Sequence, residues 1–224
     1  MEIRPIAHFR SPFEGKFGIP RQSSIVSEVR GRIVFEKEYA SADALRGLEG
    51  FDYLWIIWGF HLNHSSRPDK LTVRPPRLGG NTRLGVFATR SPFRPNPLGL
   101  SCVHIESIEE GSIVVSGADL ADSTPIFDIK PYLPYSDSFP QARCGFVQQN
   151  DWEELQVTTA DDALMEKLRS FFDEEELQGL FKSLSQDPRP SYERGKEKNY
   201  GLTFSGHNIT FHIEGKTLVI DSAI

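Results

Sequence analysis

Residues 85–101 read GVFATRSPFRPNPLGLS, and this stretch decides how the rest of the chain is interpreted. A strand-like run at residues 86–89 leads into three prolines, and residues 98–100 lead out into another strand. Because proline fixes φ and restrains the residue before it, the segment between the two strands is a stiff loop. With Arg90 and Arg94 on it, such a loop is typical of a pre-organised anion or nucleotide clamp, or of a rigid connector whose arginines pair with nearby acids.

Length and composition describe an ordinary soluble globular protein of one large or two modest domains. The chain has 224 residues, of which 38% are hydrophobic and 25% charged. Its longest apolar run, LWIIWGF at residues 54–60, is far too short to span a membrane. The first residues contain no signal-peptide core, and Cys102 and Cys144 suggest no disulfide framework, so we expect a cytoplasmic protein.

Charge is distributed unevenly along the chain. The formal net charge is -6, yet residues 61–105 carry seven basic residues and one acid. The basic residues are Arg67, Lys70, Arg74, Arg77, Arg83, Arg90 and Arg94. Such a stripe can form a local binding surface for phosphates on an acidic protein, although charge alone favours a solvated, loop-rich face.

Strands dominate the first 150 residues. Alternating or continuous apolar runs predict strands at residues 3–9, 31–39, 51–63 and 123–137, and a hairpin over residues 100–120 that turns at Glu110–Gly111. One short helix is expected at residues 41–50, with Ser41 as its N-cap. This order favours a barrel or a sandwich over a βαβ repeat.

The pattern changes near Asn150. Helical periodicity covers residues 158–172 and 174–187, and three short strands close the chain. We therefore expect two domains, a mainly β domain at residues 1–154 and a small α+β domain at residues 155–224.

Familiar catalytic and metal-binding signatures are missing, so no metal is expected. What remains is a set of polar loops, each next to a predicted strand: GIPRQ at residues 18–22, FHLN at 60–63, TRSPFRPNP at 89–97 and ADSTPIFDIKPYLPY at 121–135. In a small β domain such loops gather at one end and can build a pocket.

These same loops resemble a known family. GVFATRSPFRPNPLGLS, FGIPRQ, FDYLWIIWGFHLN, STPIFDIKPYLPYSD and the C-terminal DPRPSY together resemble the TsaA/TrmO family of S-adenosylmethionine-dependent tRNA methyltransferases. The resemblance implies a mainly β fold, with a single-sheet barrel as the catalytic domain and a small C-terminal α+β domain. It also implies a homodimer with the cofactor pocket at or near the subunit interface. The implied reaction is N6-methylation of threonylcarbamoyladenosine beside the anticodon of a tRNA.

Residue by residue, the resemblance implies a cofactor pocket of eleven positions. They are Pro20, Arg21, Gln22, His61, Leu62, Arg90, Leu100, Asp122, Ser123, Thr124 and Pro125. The cofactor already carries an activated methyl group, so the protein must mainly align the reactants and exclude water. A proton acceptor near N6–H would help the transfer. Asp128 is the candidate acceptor, with Lys130 and Tyr132 beside it in DIKPY.

Contacts with tRNA are expected from the basic stripe. Arg67, Lys70, Arg74, Arg77 and Arg83 would bind phosphates, and Arg94 would contact RNA or the partner subunit. Arg189 and Tyr192 in DPRPSY would complete the site together with Asp187, or the motif would act as a rigid strut between domains.

Two alternatives to this enzyme stay open. One is a non-catalytic module that binds RNA or senses S-adenosylmethionine. The other is a methyltransferase that acts on a different RNA or on a small molecule.

Overall fold

A closed six-stranded barrel forms the first part of the protein. The computed structural model describes residues 2–63, 71–75, 82–149, 153–190 and 193–224. Around the barrel the order is β1 (Ala7–Arg10), β2 (Arg30–Phe35), β7 (Ser112–Ser116), β6 (Leu98–Glu109), β3 (Tyr53–Gly59) and β8 (Pro125–Pro131). Every neighbouring pair is antiparallel. The mainly β fold and the barrel expected from the sequence are confirmed.

The barrel closes around side chains that alternate along each strand. Leu54, Ile56 and Trp58 on β3 point inward and are buried, as are Ser101 and Val103 on β6. Successive side chains of a strand point to opposite faces, so the residues between them line the outside. Every second residue thus forms the inner wall, although Trp55 and Ile57 on the outer face of β3 are apolar as well.

The run at residues 86–89 is a correction to the sequence analysis, since it does not form a strand. A two-residue strand β5 (Leu84–Gly85) pairs with β4 (Thr72–Val73), and a 3₁₀ turn at Val86–Ala88 follows it. The Thr89 hydroxyl and amide both donate to the Val86 carbonyl, at 2.8 and 3.1 Å. This local side-chain hydrogen bond closes the turn and replaces pairing with a neighbouring strand.

The predicted short helix is divided in two. α1 (Ala42–Leu45) begins after Ser41, whose hydroxyl accepts a hydrogen bond from the Ala44 amide, as the sequence indicated. Gly47 then adopts a φ of 92°, and a 3₁₀ turn follows at Leu48–Gly50. A positive φ suits glycine and interrupts the helix. Two further short helical segments, α2 (Pro134–Asp137) and a 3₁₀ turn at Gly145–Gln149, follow the barrel.

A four-stranded sheet with two helices forms the second unit. Its elements are β9 (Gln156–Thr159), α3 (Asp162–Phe171), α4 (Glu174–Ser185), β10 (Tyr200–Phe204), β11 (His207–Glu214) and β12 (Thr217–Ala223). The sheet order is β10-β11-β12-β9, and β9 lies parallel to β12. The sequence missed β9, because the strand it pairs with, β12, lies about 60 residues away along the chain and short strands of this kind depend on such pairing.

The second core includes residues from the first connection of the barrel. Phe13, Val26 and Val29 are buried among residues of α3, α4 and the second sheet. We call residues 11–29 the strap, because this segment leaves β1, enters the second core and returns to β2. Across the described ranges, no helix has both the length and the apolarity needed to cross a membrane.

Candidate functional site

Three connections leave the barrel from the same end. The strand register shows this directly, since Gly59 at the end of β3 lies opposite Leu98, and Pro125 at the start of β8 lies opposite His8. The connections are the strap and residues 60–97 and 117–124. All positions that the resemblance assigns to the cofactor lie on these connections or in the first residues of β6 and β8.

A cavity of about 570 Å³ lies at this end of the barrel. Four of the assigned residues line it, namely His61, Leu62, Asp122 and Ser123. We call these four the cavity group. The remaining lining residues come from the strap and from the turn between β10 and β11, and they are Ser11, Pro12, Glu14, Ser205 and Gly206. The cavity therefore lies between the barrel and the second unit.

Asp122 is held as a carboxylate by its neighbours. The Ser11 amide donates to it at 3.1 Å and the Ser123 hydroxyl at 2.8 Å, and Arg10 forms an ion pair at 3.4 Å. Partial burial opposes ionisation, but these hydrogen bonds and the Arg10 charge outweigh it and lower the pKa of Asp122. A fixed negative charge in the cavity favours a cationic ligand.

Thr124 and Leu100 lie on opposite sides of the barrel wall. Thr124 is buried, its hydroxyl donates to the Ala121 carbonyl at 2.8 Å, and its Oγ1 lies 3.4 Å from His61 Nδ1. It therefore shapes the loop that carries the cavity group. Leu100 lies on the outer face of β6, opposite Ile57, and is 55% exposed.

A second set of assigned residues forms separate contacts. Arg90 donates from its guanidinium to Gln22 Oε1, and Gln22 Nε2 donates to the Arg21 carbonyl. Arg21 Nη2 donates to the carbonyls of Asp187 and Arg189, at 2.8 Å each. We call Arg21, Gln22 and Arg90 the clasp group. Pro20, just before it, is buried.

Three polar residues that the sequence analysis did not single out connect the barrel interior to the clasp group. Trp58 Nε1 donates to Ser101 Oγ at 2.9 Å, and Ser101 Oγ donates to Asp119. Burial raises the pKa of Asp119, while hydrogen bonds from Ser101 and the backbone and the charge of Arg90 oppose the rise. The sequence offered one signal for this contact, because Ser101 places a hydroxyl at an inward position of β6 among apolar residues.

The three candidate catalytic residues lie on the outer wall of the barrel. Asp128 and Lys130 form an ion pair at 2.9 Å, and both side chains are exposed. Tyr132 packs against Trp55, with ring centroids 5.9 Å apart. A bulge in the pairing of β8 with β3 leaves Phe127 as the extra residue, and such bulges reorient side chains. The cavity described above is lined by other residues.

Two of the expected phosphate-binding residues lie side by side. Arg74 follows β4 and Arg83 precedes β5, and the antiparallel register places them opposite each other, next to the last paired residues Val73 and Leu84. Both are exposed. Arg67, Lys70, Arg77 and Tyr192 lie outside the described residues.

Arg94 and Arg189 make internal contacts. Arg94 Nη1 donates to the Thr89 carbonyl at 3.2 Å across its own loop. Arg189 is 5% exposed and pairs with the buried carboxylate of Asp187 at 2.9 Å. A phosphate contact by Arg189 would require this pair to open, so its surroundings favour the strut interpretation of DPRPSY.

Comparisons with known proteins extend over both structural units. Two family models match, tRNA-methyltransferase O N-terminal domain over residues 8–138 and TrmO C-terminal domain over residues 153–223. The tRNA (adenine(37)-N6)-methyltransferase of Escherichia coli (strain K12) is 39% identical over 221 residues, covering 95% of this chain and 93% of that protein. A Pseudomonas aeruginosa protein, provisionally named as the S-adenosylmethionine-dependent methyltransferase RcsF, is 37% identical, covering 97% and 94%. A crystal structure of TrmO from P. aeruginosa matches with a TM-score of 0.80 at 29% identity, covering 100% of this chain and 96% of that one.

Proposed function

This chain belongs to the tRNA-methyltransferase O family, and on that premise we propose that it is an S-adenosylmethionine-dependent methyltransferase acting on N6 of an adenosine in tRNA. The observation that carries the proposal is the extent of the similarity. A relative named for this activity is 39% identical over 95% of the chain. That span includes all three connections at the end of the barrel.

The finer substrate is an adenosine that already carries a threonylcarbamoyl group beside the anticodon. Support comes from the motifs of residues 85–101 and 121–135, and from the relative's name, which places its adenine at tRNA position 37. The anticodon loop is single-stranded, so a base there can be unstacked at a lower cost than a paired base.

The residues at the end of the barrel fit the cofactor chemically. Asp122 supplies a fixed negative charge for the cationic groups of S-adenosylmethionine, and Arg90 supplies a guanidinium for its carboxylate. The cavity of about 570 Å³ has the size of a small-molecule site. We assign binding to the cavity group and the clasp group together, with Pro20, Leu100, Thr124 and Pro125 shaping their loops.

When bound, S-adenosylmethionine supplies an electrophilic methyl group on a sulfonium, which N6 takes as the carbon–sulfur bond breaks and leaves a neutral thioether. The chain holds the two reactants in line and accepts the proton that N6 loses. Asp128 is the proposed acceptor. Lys130 pairs with the Asp128 carboxylate at 2.9 Å and so holds it on the outer wall. Tyr132, which packs on Trp55, offers an aromatic face to the base.

We assign a homodimer to this enzyme, because four large apolar residues are exposed on the second connection and on the outer face of β6. Phe87 is 73% exposed and Leu100 is 55% exposed, and Phe93 and Leu98 are exposed on the same connection and strand. Exposed apolar residues in such a group mark a contact surface, and a second copy of the chain is the simplest partner for it. A contact there would bring a partner subunit against Leu100 and the loop of Arg90.

Light scattering after size-exclusion chromatography tests the dimer. Leu100→Asp should convert the protein to a monomer, because a charge would be buried in the contact. Ile3→Asp is the matched control, an exposed apolar residue before β1 and so toward the other end of the barrel. A wild-type monomer at micromolar concentration would contradict the dimer.

Two further assignments complete the proposal. The domain boundary lies near residue 154, with the barrel in residues 1–154 and the second sheet in residues 155–224. The strap belongs to the first of these ranges, but it packs in the core of the second unit. The enzyme works in the cytoplasm, where mature tRNA is found.

The decisive experiment offers methyl-labelled S-adenosylmethionine and purified protein to tRNA with and without threonylcarbamoyladenosine. Mass spectrometry of the nucleosides should show a methylated threonylcarbamoyladenosine only from the modified tRNA. Methylation of unmodified adenosine would overturn the finer substrate. Cofactor binding without transfer to any RNA would favour the sensing module. No cofactor binding at all would overturn the proposed function.

A further inference from the structure

The strap ties the cofactor segment to the second unit. Phe13 is 1% exposed and contacts Phe204 edge to face, with centroids 5.1 Å apart. Phe17 stacks on both Tyr200 and Phe211, with ring centroids 5.9 and 6.1 Å away. Residues 20–22, which the resemblance assigns to the cofactor, follow immediately, so their position depends on the second sheet as well as on the barrel.

Arg21 makes the most specific of these contacts. Its Nη2 donates to the carbonyls of Asp187 and Arg189, which are two residues apart. Charge-assisted hydrogen bonds to two acceptors fix the direction of a guanidinium as well as its distance. The side chain is therefore directed toward residues 187–189, which we call the DPR loop.

The DPR loop is built to hold those two carbonyls in place. Asp187 and Arg189 are 4% and 5% exposed, and their side chains meet through two hydrogen bonds, at 2.9 and 3.2 Å. Arg194 adds a further ion pair to Asp187 at 3.3 Å. A buried and fully paired carboxylate of this kind is difficult to move.

The backbone of the DPR loop is strained where it leaves α4. Asp187 has a φ of 49°, in the left-handed region, although it is not glycine and precedes Pro188. Both features make this conformation unfavourable, so the surrounding contacts must stabilise it. Its amide donates to the Leu184 carbonyl at 3.2 Å, which ends the helix, and its carboxylate turns back to Arg189.

On its other side, Arg21 continues to the cofactor-facing residues. The Arg21 carbonyl accepts from Gln22 Nε2, and Gln22 Oε1 accepts from Arg90. The next two residues fasten the segment to the barrel, because Cys102 donates its amide to Ser23 Oγ at 3.2 Å and Ser24 donates its amide to the Gly117 carbonyl at 2.8 Å. A continuous series of contacts thus joins Arg189 to Arg90.

We propose that Asp187 and Arg189 are positioning residues for cofactor binding, and that they act through Arg21 on Gln22 and Arg90. This inference rests on the proposed function, since it takes Gln22 and Arg90 as cofactor contacts. It assigns to the second unit a role in binding the small cofactor, separate from any role in binding tRNA.

Isothermal titration of S-adenosylmethionine in the absence of tRNA tests the inference. Arg189→Gln should raise the Kd roughly tenfold, because the DPR loop loses the ion pair that orders it. Arg21→Ala should raise the Kd by at least as much. The double variant should bind no more weakly than Arg21→Ala alone, since residues that act through one contact are not additive.

Two further variants separate positioning from general destabilisation. Leu218→Ala removes a buried side chain from the same unit without altering the DPR loop, and it should leave the Kd unchanged at temperatures where it stays folded. Arg21→Lys keeps the charge but not the length and planar geometry of the guanidinium, so it should retain only part of the affinity. If Arg189→Gln does not fold, Arg21→Lys takes its place as the test variant.

The outcomes are distinct. A wild-type Kd for folded Arg189→Gln, additive effects in the double variant, or an equal loss in Leu218→Ala would each overturn the positioning role. Wild-type protein that binds no S-adenosylmethionine would instead overturn the proposed function. With wild-type binding intact, the KM for tRNA should change less than the Kd for the cofactor in Arg189→Gln.

Discussion

The cavity group and the clasp group lie at the same end of the barrel but are held in place differently. Asp122 and Ser123 are fixed by contacts inside the barrel unit, including Arg10 at the end of β1 and the Phe9 carbonyl. Arg21 is fixed by two carbonyls of the second unit, about 166 residues away along the chain. One half of the candidate cofactor site is therefore held by the barrel and the strap, while the other half is anchored directly by carbonyls of the second unit.

This difference predicts which substitutions should disturb the cavity group and which should disturb the clasp group. A change confined to the second unit should reach Arg90 through Arg21 and leave Asp122 largely undisturbed. A change inside the barrel should reach both halves, because Ser101 and Asp119 lie between the core and Arg90.

The largest effect is expected when a side chain of the strap that is buried in the second core is removed. Phe13→Ala should lower the free energy of unfolding by about 3–5 kcal/mol, because a fully buried ring is lost. Urea denaturation measures the loss, and hydrogen exchange locates it, with protection falling at residues 187–189 and 200–223. Phe9→Ala is the matched control in the barrel core, where Phe9 is also 1% exposed. Equal loss of protection in the barrel strands for both variants would contradict the separation of the two halves.

The next effect comes from the link between the barrel interior and Arg90. Asp119→Ala should cost about 1–3 kcal/mol of stability, because the buried Ser101 hydroxyl loses its acceptor. It should also lower the Kd for the cofactor, since a negative charge near Arg90 that repels the cofactor carboxylate is removed. Asp119→Asn keeps an acceptor for Ser101, so it should be nearly as stable as wild type and show the same change in Kd. Chemical denaturation and cofactor titration together separate these outcomes, and unchanged binding in both variants would remove Asp119 from the site.

The two arginines of the opening loop should differ. Arg90→Ala should raise the Kd for S-adenosylmethionine roughly tenfold, because it removes a charge-assisted contact. Arg94, whose guanidinium donates to Thr89 within its own loop, should tolerate Arg94→Ala in cofactor binding and lose tRNA methylation or dimerisation instead. Titration and single-turnover methylation give the two readouts, and equal losses of cofactor affinity would dispute the division.

A smaller effect is expected at the hairpin of β4 and β5, where Arg74 and Arg83 belong to neither the cavity group nor the clasp group. Arg74→Glu with Arg83→Glu should weaken tRNA binding several-fold and reduce the dependence of log K on log salt by about one to two. Filter binding between low and physiological salt measures the slope, with cofactor affinity as the internal control. An unchanged slope would favour a small-molecule substrate.

The smallest effect is expected in the pH dependence of stability, and it concerns the second unit alone. The hydrogen bond from His212 to Asp221, at 2.8 Å, raises the pKa of His212, partial burial opposes this, and Glu214 adds to the rise. The folded state then holds the proton more tightly than the unfolded state, so this stabilisation is complete below about pH 6.5 and is lost as pH rises through the folded pKa. Thermal melts should show the second unit weakening over that range, and His212→Gln should flatten the dependence. A pH dependence that persists in His212→Gln would show that another titratable group causes it.

Much of the fold could be predicted because its signals are local. The apolar run at residues 51–63 and the hairpin at residues 100–120 predicted strands that the barrel contains, and Ser41 predicted the start of α1. Residues 86–89 were misinterpreted because a hydroxyl of Thr89 closes a turn that apolar composition cannot reveal. β9 was missed because a four-residue strand carries little information without β12 beside it.

The sequence by itself determined the family, the barrel and the identity of the loops that carry the candidate site. Prolines, glycines and a two-residue apolar period act through local sterics and through burial, so they can be recognised without coordinates. Only the tertiary structure decided that Arg21 turns to the DPR loop, that Arg189 is buried with Asp187, and that Ser101 donates to Asp119. Those contacts join residues far apart in the chain, and their free energy depends on distance and desolvation, which no single stretch of sequence specifies.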